Sequence, residues 1–180
     1  MKKTILKILL AKPLRKYTKP TLVSRRRDFF LKMLPKNSVG AEIGVNRAKF
    51  SRKIMKVVKP TKLYLIDPYI EKDEIYNEVS RNLPHNLSII RKKSWEALED
   101  FEDSSLDWVY LDGDHTHEAV KKDLEVSWRK VKKGGLITGD NYHYAGDWDD
   151  GVRTAVNEFI GKKDLRIILV AKDQFILEKL

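Results

Sequence analysis

Cysteine is absent from this 180-residue chain. A disulfide framework, a thiolate zinc site and a thiol nucleophile are therefore all excluded, and a reducing, cytoplasmic setting fits. No apolar run approaches the roughly 18–20 residues that a membrane span needs. Glycine is scarce, with nine residues, and no Gly-x-Gly-x-x-Gly string follows any candidate strand. That disfavours a cradle for the pyrophosphate of a dinucleotide, whose backbone approach depends on those glycines. Acid is missing from residues 1–27, which hold ten of the 36 basic residues. Beyond residue 27 the chain carries 26 basic and 26 acidic residues, so the formal charge of +10 belongs to the arm. A protein that coats nucleic acid with a uniformly basic surface is disfavoured by that asymmetry.

What is present is a soluble globular composition, 42% hydrophobic and 34% charged. The length suits one domain with a single core. A boundary is expected near residues 18–27, giving a basic arm at 1–27 and a domain at 28–180. The start, Met1-Lys2-Lys3 before Ile5–Ala11, is interrupted by Lys7 and followed by Lys12-Pro13-Leu14, and reads as retained rather than as a cleaved signal. Residues 1–12 make a short cationic amphipathic element. It suits peripheral contact with an anionic membrane surface, nucleic acid, or packing as a lid or dimer arm.

From residue 38 short apolar runs alternate with helical patterns. Val39–Ile43, Leu63–Ile66, Leu87–Ile90, Trp108–Leu111 and Leu136–Thr138 read as buried strands. The clearest helix spans about His117 to Val131, with Val120, Leu124, Trp128 and Val131 on one face, stopping at Lys132-Lys133-Gly134-Gly135. Leu165–Val170 and Phe175–Leu177 read as a β-hairpin. This alternation predicts an α/β, doubly wound Rossmann-like sheet, mostly parallel, with an antiparallel C-terminal hairpin.

Ligands of such sheets bind past the carboxyl ends of the strands, and there the chain places acids. Strand one carries Glu42 and ends in Gly44-Val45-Asn46; strand two ends in Asp67-Pro68. Strand four ends in Asp112-Gly113-Asp114-His115, and strand five in Gly139-Asp140-Asn141. Ser94-Trp95 follows strand three. Asp67 lies 23 residues after Gly44, where a carboxylate accepts both ribose hydroxyl protons, or else caps a helix. Asp112 with Asp140 and Asn141 offers three oxygen donors on adjacent strand ends, suited to a hard divalent cation such as Mg²⁺; capping acids and a turn amide are the alternative. Among the remaining residues, His85 reads as surface, His117 as a solvated helix start and Asp149 or Asp150 as a helix N-cap. His143, beside Tyr142 and Tyr144, lines an acceptor pocket or packs an aromatic turn. Arg25–Arg27 before Asp28-Phe29-Phe30 reads as the start of a helix over the cofactor site.

Taken together, Glu42-Ile43-Gly44-Val45 with Phe50-Ser51, Ile66-Asp67-Pro68, Leu111-Asp112-Gly113-Asp114-His115 and Gly134-Gly135-Leu136-Ile137 with Asp140-Asn141-Tyr142 resemble class I S-adenosylmethionine-dependent methyltransferases. The branch most like it is the small-molecule and sugar O-methyltransferases. The resemblance covers about residues 36–160 and implies a seven-stranded sheet with an antiparallel last strand. It implies S-adenosylmethionine as cofactor, with Glu42 and Gly44 at its methionine end, Asp67 on its ribose, Ser94 and Trp95 at its adenine, and Asp112 on the same wall. It implies Asp112, Asp140 and Asn141 as metal ligands and Asp114 or His115 as general base. Ala48 departs from the pattern, standing where the family has a second glycine. The implied acceptor is a hydroxylated small molecule such as a sugar. Competing readings are a nucleic-acid methyltransferase or RNA-binding module using the arm, and a nucleotide-dependent dehydrogenase; a homodimer is compatible with all three.

Overall fold

Residues 30–81, 83–143, 150–171 and 173–180 are described by a computed structural model of the chain. The basic arm at 1–27, with Arg25–Arg27, and Tyr144, Asp149 and Lys172 lie outside the described residues. Among the described residues the regular elements run in the order β1 (Val39–Ile43), α1 (Lys49–Val57), β2 (Lys62–Ile66), α2 (Asp73–Ser80), β3 (Leu87–Ile90), α3 (Ser94–Glu99), β4 (Leu106–Leu111), α4 (His117–Lys130), β5 (Val131–Gly139), α5 (Gly151–Lys162), β6 (Leu165–Ala171) and β7 (Gln174–Lys179).

The strands form one seven-stranded sheet in the order β3-β2-β1-β4-β5-β7-β6. Pairing is parallel from β3 to β5, and β7 runs antiparallel to both β5 and β6. The period-2 alternation of strand side chains divides the core between two faces. Ala41, Ile43, Val109 and Leu111 join α3, α4 and α5 through Leu98, Leu124 and Phe159. Trp108, Tyr110, Leu63 and Leu65 join α1 and α2 on the other face, with Leu31 and Leu34. Because strand order reverses between β1 and β4, the loops after these strands splay apart, and a crevice opens there.

The expected strands are all found, and β1 and β3 have the expected ends. β2, β4, β6 and β7 run one or two residues past the expected ends, and β5 differs most. β5 begins at Val131 rather than Leu136, because Val131 turns extended straight out of α4 and pairs with Leu106. Pairing resumes at Trp108 and Leu136, and the intervening Lys132-Lys133-Gly134-Gly135 bulges out, Gly134 taking a φ of +77°. The double glycine therefore serves a bulge in the strand and not a helix end. A second correction concerns Asp150. It occupies the N-cap position of α5, but at φ 56° and with no side-chain cap; its carboxylate pairs with Arg153 instead. Among the described residues no helix is long and apolar enough to cross a membrane.

Candidate functional site

The crevice past β1, β2 and β4 is a cleft of about 360 Å³, walled by Gly44, Asn46, Asp67, Pro68, Ile70, Lys93, Ser94, Trp95, Asp112 and Asp114 among others. Gly44 sits at φ +83°, and a Cβ there would come within 1.9 Å of the Asp112 carbonyl oxygen. Only glycine lets β1 end in this turn while β4 passes beside it. The loop then continues through two further left-handed residues, Asn46 at φ 47° and Ala48 at φ 54°, before α1 starts. Ala48 is thus a non-glycine residue in a conformation that costs L-residues about 1–2 kcal/mol, a physical reason for glycine at this point.

Asp67 is fixed at both oxygens. Asn46 donates its backbone N–H to Oδ2 and Tyr69 donates its own to Oδ1, each at 2.9 Å. The Tyr69 hydroxyl returns to the Asn46 carbonyl at 2.9 Å, closing a latch between the ends of β1 and β2. Burial, helped by the Asp67 charge, holds the Tyr69 hydroxyl well above its usual titration range, so it stays a donor. Each Asp67 oxygen keeps a lone pair beyond its backbone bond. Glu42 is 1% exposed and does not wall the cleft. It lies within β1 between Leu65 and Tyr110, residues of the α1/α2 core.

The opposite wall is made by α3. Trp95 packs against the core while Lys93 and Lys122 place their ammonium groups 5.6 and 5.0 Å from its ring centroid. Ser94 donates its hydroxyl to Asp123 Oδ1 at 2.5 Å.

At the third wall, backbone bonds step the strand ends across the rim: Asp112 donates its N–H to Ile43 and Asp140 donates its own to Leu111. Since Leu111 stands opposite Gly139, Asp112 and Asp140 follow side by side. His115 Nε2 lies 3.6 Å from Asp112 Oδ1. Asp114 is exposed and takes the backbone N–H of Thr116 at 2.9 Å, which holds the turn into α4. The α5 end is packed against this loop: a Cβ on Gly151 would meet the His115 carbonyl oxygen at 2.6 Å.

Asp112, Asp140 and Asn141, the expected metal ligands, are oxygen donors of the kind that suits a cation keeping much of its water shell. Two carboxylates and an amide oxygen are hard ligands, and Asn141, at φ 61°, is turned into the left-handed region right after Asp140. Asp140 is 5% exposed and its Oδ1 accepts the Gln174 amide, whose own carbonyl oxygen accepts the Tyr110 hydroxyl at 3.0 Å. Among the described residues no three His, Cys, Asp or Glu side chains gather as a metal cage.

The histidines sort by exposure. His85 and His143 are exposed, the latter with its ring 4.7 Å from that of Tyr142. His117 is more engaged than its expected solvated role, with Glu118 and Glu158 each 3.3 Å from its ring nitrogens. Tyr142 instead turns its hydroxyl to Asn157 at 2.7 Å. Two site-side residues went unnoticed in the sequence, Asp123 and Gln174. An acid inside the apolar stripe of α4, one residue from Leu124, was a visible signal for the first. Gln174 had none, since its place depends on how β7 returns beside β5.

A sheet of this order, with β7 reversed and an acid-walled cleft at the switch point, is the fold of S-adenosylmethionine-dependent methyltransferases. Residues 41–142, more than half of the chain, match the methyltransferase domain family, and the chain belongs to that family. In structure it is similar to a SAM-dependent methyltransferase from Aquifex aeolicus (18% identity, TM-score 0.61, 88% of this chain and 92% of that one). It is also similar to an rRNA methylase from Streptococcus thermophilus (14%, 0.63, 90% and 97%). A protein from Streptococcus mutans solved in complex with SAH is similar too (13%, 0.64, 91% and 99%). In sequence, 80 residues are 30% identical to protein R132 of Acanthamoeba polyphaga mimivirus, covering 42% of this chain and about a third (35%) of that protein.

Proposed function

We propose that the protein transfers the methyl group of S-adenosylmethionine to a hydroxyl of a small molecule, a sugar being the favoured acceptor class. The observation that carries this reading is the cleft at the switch point, where Gly44 leaves no room for a side chain and Asp67 is held with free lone pairs. In it the methionine end of the cofactor passes Gly44, Asp67 accepts the ribose hydroxyl protons, and Ser94 and Trp95 flank the adenine, with Asp112 completing the wall. Glu42 supports this end from behind β1.

Methyl transfer forms a carbon–oxygen bond to the acceptor as the carbon–sulfur bond breaks, the sulfur keeping the electron pair. The acceptor proton must leave, and Asp114 or His115 is the base in reach of the cleft rim. Asp112, Asp140 and Asn141 would hold a hard divalent cation, Mg²⁺ first, which when bound acidifies a hydroxyl and fixes its position. The chain itself orients the partners: the Asp67 latch and the backbone steps at Asp112 and Asp140 make the rim rigid, so alignment is built in before binding.

Calorimetry with S-adenosylmethionine tests the reading. Binding is expected, and absence of heat at millimolar cofactor would sink it. A second reading, methylation or binding of RNA, is favoured by the ten basic residues of the 1–27 arm. RNA retention that weakens with salt and disappears when residues 1–27 are deleted would support it. Retention on anionic vesicles, lost on the same deletion, would instead assign residues 1–12 to a membrane surface at the cytoplasmic side.

A further inference from the structure

A carboxyl group lies buried where the hydrophobic core alone would favour an apolar side chain. Asp123 is 3% exposed on α4, and among the described residues no ion pair joins it to a lysine or arginine. Its partner is the Ser94 hydroxyl, which donates to Oδ1 at 2.5 Å. Asp123 also lines a small void of about 10 Å³, shared with Asp114, His115 and Asp140. Burial pushes the Asp123 carboxyl up to about 7, with the Asp114 charge adding to the rise and the Ser94 hydrogen bond opposing it. Burying a carboxyl without a cation is costly, and placing it against the Ser94 hydroxyl at the cleft wall ties that cost to the cleft.

Serine has one hydroxyl hydrogen, and here Asp123 takes it. Ser94 therefore has only lone pairs left for a third group. We infer that Asp123 is a positioning residue that holds Ser94 as a hydrogen-bond acceptor at the cleft wall, and so selects a purine bearing an amino group over one bearing a keto oxygen. The inference rests on the cofactor reading above, which places the adenine at Ser94 and Trp95. A purine with a 6-keto oxygen would set acceptor against acceptor, leaving the buried group unpaired, which is how polar sites reject analogues.

The test compares two ligands by calorimetry, S-adenosylhomocysteine and its deaminated form S-inosylhomocysteine. The natural chain is expected to prefer the first by about tenfold or more, the scale of one hydrogen bond with a stranded partner. Ser94→Ala and Asp123→Leu should each bring the two affinities within about threefold of one another. Asp123→Asn, whose carbonyl oxygen still accepts the serine proton, should keep most of the preference, a rescue that a merely structural role would not give. If Asp123→Leu fails to fold, loss in Ser94→Ala with retention in Asp123→Asn decides the matter. Equal affinities in the natural chain, or an unchanged preference in Ser94→Ala, overturn this inference alone. Failure of the natural chain to bind either ligand overturns the cofactor reading and this inference with it.

Discussion

Asn46 and Asp67 stand 21 residues apart and are joined by a hydrogen bond, the backbone N–H of the first meeting Oδ2 of the second at 2.9 Å. The bond links the loop after β1 to the end of β2, the two segments between which a ribose would lie. The acid is thus both a ligand group and a brace, and its removal has two separable consequences. Asp67→Ala is expected to weaken S-adenosylmethionine binding by about thirtyfold or more, through loss of a charge-assisted acceptor. It should also lower unfolding stability by about 1–2 kcal/mol, because two backbone donors lose their partner. Calorimetry reads the first and urea unfolding the second. An affinity within threefold of the natural chain would remove Asp67 from the cofactor site even if stability fell.

The strain at Ala48 makes a prediction of the opposite sign. Its φ of 54° lies where glycine is at ease and alanine is not. Ala48→Gly should relieve the folded state while loosening the unfolded chain, for a net gain of about 0.5–1 kcal/mol. Thermal unfolding checks this, and a lowered Tm would show that the Ala48 methyl, 7% exposed in the α1/α2 core, outweighs the strain.

How these parts related to the bare sequence depended on distance along the chain. Strand cores were legible because Val39–Ile43 and Leu87–Ile90 are compact apolar runs bounded by polar or turn residues. The acids at strand ends were legible for the same reason, since knowing where β1, β2, β4 and β5 end fixes where Asp67, Asp112 and Asp140 emerge. Pairing was not. Whether Val131 ends a helix or starts a strand is decided by Leu106 across the sheet, and the Gln174 contact with Asp140 by the return of β7. Glu42 shows the limit in another way: its place in the string is plain, but its burial is set by Leu65 and Tyr110 on the strands to either side of β1.

The cation is separable from the methyl transfer. If Asp112, Asp140 and Asn141 hold it, treatment with a chelator should cut turnover by tenfold or more, and added Mg²⁺ should restore it. Affinity for S-adenosylmethionine, measured on the same chelated sample, should stay within about twofold, since the groups assigned to ribose and adenine follow β2 and β3 and not β4 and β5. Turnover untouched by chelation would remove the metal and leave the rim acids as supports for the loop.

Asp123 gives a pH signature of its own. Its carboxyl rises from an ordinary value of 3.8 in the unfolded chain to about 7 in the fold. Below about pH 4 both states hold the proton and the group does not favour unfolding. Between those values the unfolded chain has released the proton while the fold retains it, so stability falls as pH rises and levels off above about 7. With 1.36 kcal/mol per pH unit, the loss is at most about 4 kcal/mol. Asp123→Asn carries no titrating group, so its stability relative to the natural chain should climb across this window, by about 2–4 kcal/mol, and stay flat beyond it. Urea unfolding of both chains at about pH 4.5, 6 and 8 measures the difference. Other acids cancel in it, and a difference that stays constant from pH 4.5 to 8 would show that Asp123 titrates in the fold as it does in water.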